Sequence, residues 1–490
     1  MMIDNKKRIT AGITATLATL AMTAVNADEL ISTASEQSNL NVTIYNSNVA
    51  LIKDTRKVQL PPGVNDLAFK DVSASIQAET AILKGDKVVL LEQNFEYDLL
   101  SPGALLKKYV GKTVTVVTTN PATGEVSKAV AKVLADNDGV MLKIDDKILQ
   151  LNDNMSIVYD NIPKNLRDKP TLTMRLDNQG TKEQQLELSY LSGNLNWKAD
   201  YVANLVDDNT LNLKGWVTLI NDSGTSYQNA KLQLVAGDIH RASHPMPLED
   251  LSMVKRKVAV YGANAAPAMQ EESLFEYHLY SLALPTTIKN KQQKQVSLLE
   301  ATNVPYKKQL VVVAKDNYGW RWWGDDAEYQ EQTVNANIVI ENKKANRLGL
   351  PIPAGIVRGY LNDKQGNMQF IGEDRIKHTP ENEKITLKLG ESFDVTVKRK
   401  QTNFHQQHIA IENAVKTTRK EEVTATYEVL FKNAKETEAL VEYKDIFYGD
   451  WEIVKQSLPS DKINSRQNVW QVSVPPKGET ALTYTVKSVY

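Results

Sequence analysis

Three tryptophans and a tyrosine crowd into Tyr318-Gly319-Trp320-Arg321-Trp322-Trp323, in a chain with seven tryptophans in all. In a loop, Tyr318, Trp320, Arg321, Trp322 and Trp323 would make a binding patch. An indole joins an apolar face, able to stack on a sugar or sit at a membrane interface, to an N–H donor. The alternating Trp320 and Trp322 would equally plug a sandwich core at a strand end, and that is the commoner use of such side chains. A second candidate is Gly372-Glu373-Asp374-Arg375. Glycosidases set two carboxylates about 5–10 Å apart across a sugar. Neighbouring strand residues face opposite ways, so Glu373 and Asp374 cannot do this alone, and an ion-paired turn is the plainer reading.

The six histidines are His240, His244, His278, His378, His405 and His408. His240/His244 and His405/His408 have chelating separations only on a helix, and neither pair falls in a helical pattern or has an evident third ligand. No metal site and no cofactor are expected. There is no Gly-x-Ser-x-Gly elbow, no phosphate-cradling Gly-x-x-x-x-Gly-Lys-Ser/Thr loop and no cysteine. The sequence therefore points to no catalytic residue.

The ends and the composition speak to location. Met1 to Arg8 is basic, Ile9 to Val25 is uncharged, and Val25-Asn26-Ala27 precedes the acidic Asp28-Glu29. That pattern is a secretory signal cleaved after Ala27, giving a periplasmic or secreted chain. Without cysteine, disulfides and a lipid-anchored cleavage site are both excluded as expectations. No later run is long and apolar enough for a transmembrane helix. The 58 basic and 59 acidic residues leave a net charge of −1, which gives no electrostatic footprint for nucleic acid. The partner expected is an envelope component, protein or glycan.

The elements that would position these residues are strands. Leu40 to Tyr45, Ala50 to Leu60 and Val64 to Phe69 alternate apolar and polar, with Pro61-Pro62-Gly63 as a turn. Thr80 to Leu91 and Asn94 to Leu100 extend this N-terminal β domain, residues 28–102. Residues 103–165 read as a short helix and five strands, a small barrel. From about 170 to 490 the strands lengthen into β-sandwich patterns. They include Phe275 to Leu284, Lys294 to Leu299, Gln309 to Ala314, Phe393 to Lys400 and His408 to Ala414. A proline- and alanine-containing stretch of about 240–273 interrupts them and reads as a flexible insertion. The fold class expected is mainly β, as several antiparallel sandwiches with a small barrel module. The final Tyr490 matches the aromatic end of outer-membrane barrels, but charged runs such as Lys398-Arg399-Lys400 fit a soluble sandwich better.

Three stretches carry a likeness. They are Tyr190 to Tyr201, Gly215 to Gly224 running on to Asp238, and Pro351 to Tyr360 with Phe370 to Asp374 beyond it. On these residues the chain resembles the family called domain of unknown function 4139, over roughly Thr171 to Tyr490. It is more distantly similar to mucoidy-inhibitor-like proteins, without the long coiled coil that often precedes the domain there. The resemblance implies a β fold and an envelope setting, and brings no catalytic residues. The leading expectation is a non-enzymatic binding or scaffold protein. The alternative is a periplasmic hydrolase of envelope glycans using Glu373 or Asp374.

Overall fold

The computed structural model describes residues 29–163, 166–237, 239–240, 269–314, 328–413 and 416–490, with side chains at 411–419 excluded. The stretch read as a signal, most of the 240–273 stretch and all of Tyr318 to Trp323 lie outside them.

Strand is 66% of the described residues and helix 3%, so the fold is mainly β. In chain order the first elements are β1 (Leu30–Ser32), β2 (Gln37–Tyr45), β3 (Val49–Gln59), β4 (Gly63–Lys70), β5 (Ile76–Lys84) and β6 (Val88–Glu96). Helix α1 (Pro102–Tyr109) leads to β7 (Thr113–Thr119), β8 (Val126–Ala135), β9 (Met141–Ile144), β10 (Lys147–Gln150) and β11 (Met155–Val158). Next come β12 (Thr171–Asn178), β13 (Glu183–Gly193), β14 (Leu195–Leu205), β15 (Thr210–Asn221) and β16 (Tyr227–Ala236). The strands β17 (Gln270–Leu274), β18 (Tyr277–Ser281), β19 (Thr286–Ile288), β20 (Gln292–Val313), β21 (Gln330–Gln332) and β22 (Asn335–Glu341) follow. The last third holds β23 (Gly355–Asn362), β24 (Met368–Ile376), β25 (Lys384–Glu391), β26 (Val395–Asn413) and β27 (Lys416–Asn433). It closes with β28 (Ala439–Ile446), β29 (Asp450–Gln456), β30 (Ser460–Lys462), β31 (Gln467–Val474) and β32 (Glu479–Val489).

Two compact units interleave along the chain, rather than following one another as sequential blocks. One comprises the described residues up to Gln37 with Arg56–Val72 and Leu83–Glu187; the other comprises Ser38–Thr55, Ser73–Ile82 and Leu188–Tyr490. The first holds a sheet in the order β1-β4-β12-β6 and a five-stranded sheet β10-β9-β8-β7-β11. That second sheet contains the five strands expected but is open, because β10 and β11 remain its two ends and do not pair. Closure is unnecessary here. Helix α1, capped by the Ser101 hydroxyl, covers one face, and its Tyr109 packs with Val114, Val116, Ala131, Val133 and Leu142.

The second unit is built on three sheets. One orders β17-β18-β16-β2-β3-β13-β5, with β19 on β16. The second orders β24-β23-β14-β15-β20-β28-β31-β30, with β22 on β20 and β25 on β22, and the third orders β21-β26-β27-β32-β29. The last two form a sandwich whose core includes Val312, Val441, Tyr443 and Trp470 from one side and Val429, Phe431, Leu482 and Tyr484 from the other. Most pairs are antiparallel, but β2–β16, β14–β23 and β20–β28 are parallel.

Several element boundaries differ from the sequence reading for identifiable reasons. Phe275 to Leu284 is not one strand, because Phe275 takes φ 57° and turns β17 back onto β18. The end of the supposed insertion, Gln270 to Ser273, is therefore strand. Lys294 to Leu299 and Gln309 to Ala314 are two parts of one 22-residue strand, which switches partners from β15 to β22 and β28. Phe393 to Lys400 and His408 to Ala414 likewise belong mainly to β26. Asp86 and Lys87, between β5 and β6, break the continuous run read at Thr80 to Leu91.

Four buried asparagines recur at strand ends. Asn178, Asn221 and Asn433 each accept the N–H two residues on, at 3.0, 3.1 and 3.0 Å. Their Nδ2 groups donate to Thr181, Thr225 and Thr437 carbonyls, at 2.9, 2.9 and 2.8 Å. Each also reaches a neighbouring turn: Leu60 O at 2.6 Å, Lys289 O at 3.1 Å and Pro475 O at 3.1 Å. Asn342 does the same over a longer loop, donating to Leu350 and Pro380 and accepting from Gly349. One amide thus satisfies several backbone groups that would otherwise be buried unpaired, at about 1–3 kcal/mol each.

The second unit depends on β2 and β3. Val42 and Ile44 are register neighbours of Leu232 and Leu234 on β16, and all are buried. Burial of Leu40, Val42, Ile44 and Ile52 contributes roughly 1.5–3 kcal/mol each, together about the whole stability of a domain. A chain starting at Leu186 should therefore be insoluble or lack a cooperative thermal transition, whereas one starting at Glu29 unfolds cooperatively. Near-UV circular dichroism and calorimetry on the two chains check this, and a native-like Leu186 chain would sink it.

Candidate binding face

Glu373 and Asp374 both have structural partners. Glu373 pairs with Arg358 Nε at 3.1 Å on the outer side of β24. Asp374 accepts the backbone N–H of Arg375 and of Lys388, both at 2.8 Å, and so ties β24 to β25. The histidines are dispersed. His278 Nδ1 lies 2.7 Å from Glu271, and His378 Nδ1 accepts the Ala354 N–H at 3.2 Å. His405 and His408 are exposed on β26, where a separation of three places them on opposite faces. His244 lies outside the described residues, as do Tyr318, Trp320, Arg321, Trp322 and Trp323. Among the described residues no group of three or more His, Cys, Asp or Glu could hold a metal ion.

The stretches Tyr190–Tyr201, Gly215–Gly237 and Pro351–Asp374 come together in the second unit. Ser73 Oγ meets Ser192 Oγ at 2.6 Å and donates to Ser223 O at 3.0 Å, and Ser223 Oγ lies 3.0 Å from the Tyr227 hydroxyl. All of these side chains are buried, so the cluster is an internal brace of hydroxyls. Trp197 donates to Val235 O at 3.2 Å. Tyr201 and Tyr280 donate to Pro353 O and Pro351 O, at 2.8 and 2.9 Å, which pins the proline-rich entry to β23. Burial pushes both phenols above the usual tyrosine range, with Tyr280 raised further by Glu271, so both stay protonated donors.

On the outer side of β24-β23-β14-β15-β20 the same stretches form rows. Register places Glu373, Arg358, Val202, Lys214 and Glu300 side by side, an acid–base–valine–base–acid sequence. The next row is Arg375, Ile356, Asp200, Trp216 and Ser297. Arg358 Nη1 reaches Asp200 at 3.2 Å, Thr218 donates to Asp200 at 3.3 Å, and Lys198 and Lys214 lie 3.8 Å from Asp200 and Glu300. Trp216 is partly exposed, with the Lys214 ammonium 5.0 Å from its ring centre. Tyr360 and Phe370 stack edge-to-face at 5.7 Å beyond the charged row. Asn204, between them and Asn212, has a buried Oδ1 with no donor among the described residues.

The pairs of Glu373 and of Lys214 with Glu300 lie at the surface and contribute about 0–1 kcal/mol each to stability, so folding gains little from them. The pattern supplies a fixed array of donors and acceptors around an indole. The sequence reading passed over Trp216, although alternation in β15 against the buried Leu213, Val217 and Leu219 signals its outward direction.

A second charged group in the same unit is instead enclosed. Val395, Val397 and Arg399 all face the sandwich core, and Arg399 Nη2 lies 3.0 Å from Asp445 and 3.4 Å from the Tyr484 hydroxyl. Tyr484 donates to the same carboxylate, and the guanidinium carbon lies 3.9 Å from the Tyr427 ring centre. Burial opposes the Arg399 charge, but Tyr484 and Asp445 outweigh it and hold the guanidinium protonated. All three groups are buried, so a substrate cannot approach them. Asp445→Ala strands the cation and should lower stability by about 3–5 kcal/mol. Arg399→Met with Asp445→Leu should recover most of that loss in urea unfolding; a double variant no better than the single would show the pair is not the cause.

A family model described as a domain of unknown function (DUF4139) matches residues 186–490. No curated protein matches the chain.

Proposed function

The chain belongs to the DUF4139 family, and from that premise we propose an exported, non-enzymatic binding or scaffold protein of the cell envelope, bearing its ligand site on the face around Trp216. The observation that carries the reading is the convergence of the three family-like stretches on that face. They supply Asp200, Trp216, Arg358, Tyr360 and Glu373 in fixed register. A flat aromatic surface beside paired carboxylates, a guanidinium and amides suits a ligand rich in hydroxyls, so the ligand class is an envelope glycan. Glu373 and Asp374 favour recognition over hydrolysis, because Arg358 and the backbone N–H groups engage them. The export reading rests on the basic start, the uncharged run and the small residues before Ala27.

Intact-mass measurement of the chain recovered from a periplasmic extract should show Asp28 as the first residue. A chain retaining Met1 in the cytoplasm would end the export reading. The purified mature protein should co-sediment with insoluble cell-wall glycan, and Trp216→Ala should weaken retention about tenfold, because it removes the apolar face on which a sugar would stack. Arg358→Gln, whose surface ion pairs matter little for folding, should weaken it as well. Absent retention of the native protein, or unchanged retention by both variants, would remove the binding reading. Release of soluble sugars would instead favour the hydrolase.

A further inference from the structure

The open five-stranded sheet has a second face, opposite α1, which carries its own signature. Alternation that buries Val114, Val116, Ala131, Val133 and Leu142 against the helix turns Lys128, Val130, Lys132, Lys143, Ile148 and Val158 outward. Val130 is 68% exposed, Ile148 61% and Val158 48%. Lys132 and Lys143 are direct register partners, and like charges so placed repel. Lys128 stands on the same face of β8, and the outward positions of these five strands include no carboxylate. Asp146, in the β9–β10 turn, lies 3.7 Å from Lys143.

We propose that this face docks on an anionic lipid surface. Its five strands make a platform about 20 Å across, in which β-branched side chains alternate with lysines. Valine and isoleucine can enter the boundary between headgroups and acyl chains, while lysine stems lie beside them and extend their ammonium groups to lipid phosphates. Other occupants fit less well. Base or sugar stacking needs aromatic rings, and the outward positions of these strands have none. A second copy would set lysine against lysine. Protein interfaces disfavour lysine at their centres, where Lys132 and Lys143 lie.

The test is flotation of the full mature chain with vesicles of phosphatidylcholine, alone or with about a third phosphatidylglycerol. Binding is expected only to the anionic vesicles and should decline as salt rises. Lys128→Gln, Lys132→Gln and Lys143→Gln together should weaken it about a hundredfold. Val130→Ser with Ile148→Ser, which leaves charge unchanged, should weaken it about tenfold. Circular dichroism confirms that each variant is folded, and either variant set suffices if the other misfolds. Equal binding to neutral vesicles, no binding at low salt, or native-like binding by folded variants would overturn the proposal. So would capture by soluble polyglutamate without vesicle binding, which would assign the face to an acidic protein partner.

Discussion

Buried asparagines hold the ends of this architecture together. A sheet-rich chain must satisfy every backbone N–H and C=O where strands stop, and loops at sandwich ends are where that accounting most often fails. Asn178, Asn221 and Asn433 meet the demand with one geometry, and Asn342 meets it across a longer loop. Only a side-chain amide both donates twice and accepts, so neither aspartate nor leucine can substitute without orphaning backbone groups. With the strand ends fixed, alternation decides the rest: which residues enter the core and which face outward.

That alternation separates two kinds of charge. Arg399 and Asp445 sit at inward positions and must be paired, since one alone would be a bare buried ion. Arg358, Asp200, Glu373, Lys214 and Glu300 sit at outward positions of a neighbouring sheet, where pairing is optional for stability. The first set is best understood as a constraint on the sandwich, and the second as a surface free to meet something else. Trp216 belongs with the second set by register, although it adjoins the buried Val217 in sequence.

Much of this was legible from the residues. The period-two pattern located most strands, because one face of each is buried. The length of β20 was not, since its middle, Glu300 to Lys308, pairs at its edges while keeping many side chains in solvent. Nor was the interleaving of the units: parallel pairing of β2 with β16 joins residues that no local pattern relates. Barrel closure was over-read because strand spacing does not say whether the end strands, β10 and β11, pair with each other. The role of the buried asparagines was not legible, because turn residues do not reveal which backbone groups their amides will reach. Lys132 and Lys143 lay in different strands, so their adjacency emerged from register alone.

The parallel neighbour of β2 also puts a clock on the molecule. The ribosome completes β2 about 180 residues before β16, and at about 5–20 residues per second the wait is roughly 10–40 s. Throughout that interval the side of β2 destined for β16 is an unpaired edge, carrying Leu40, Val42 and Ile44 beside it. The late arrival of β16 leaves this apolar strand open to mispairing for the whole interval, a hazard that the stability of the finished protein does not remove.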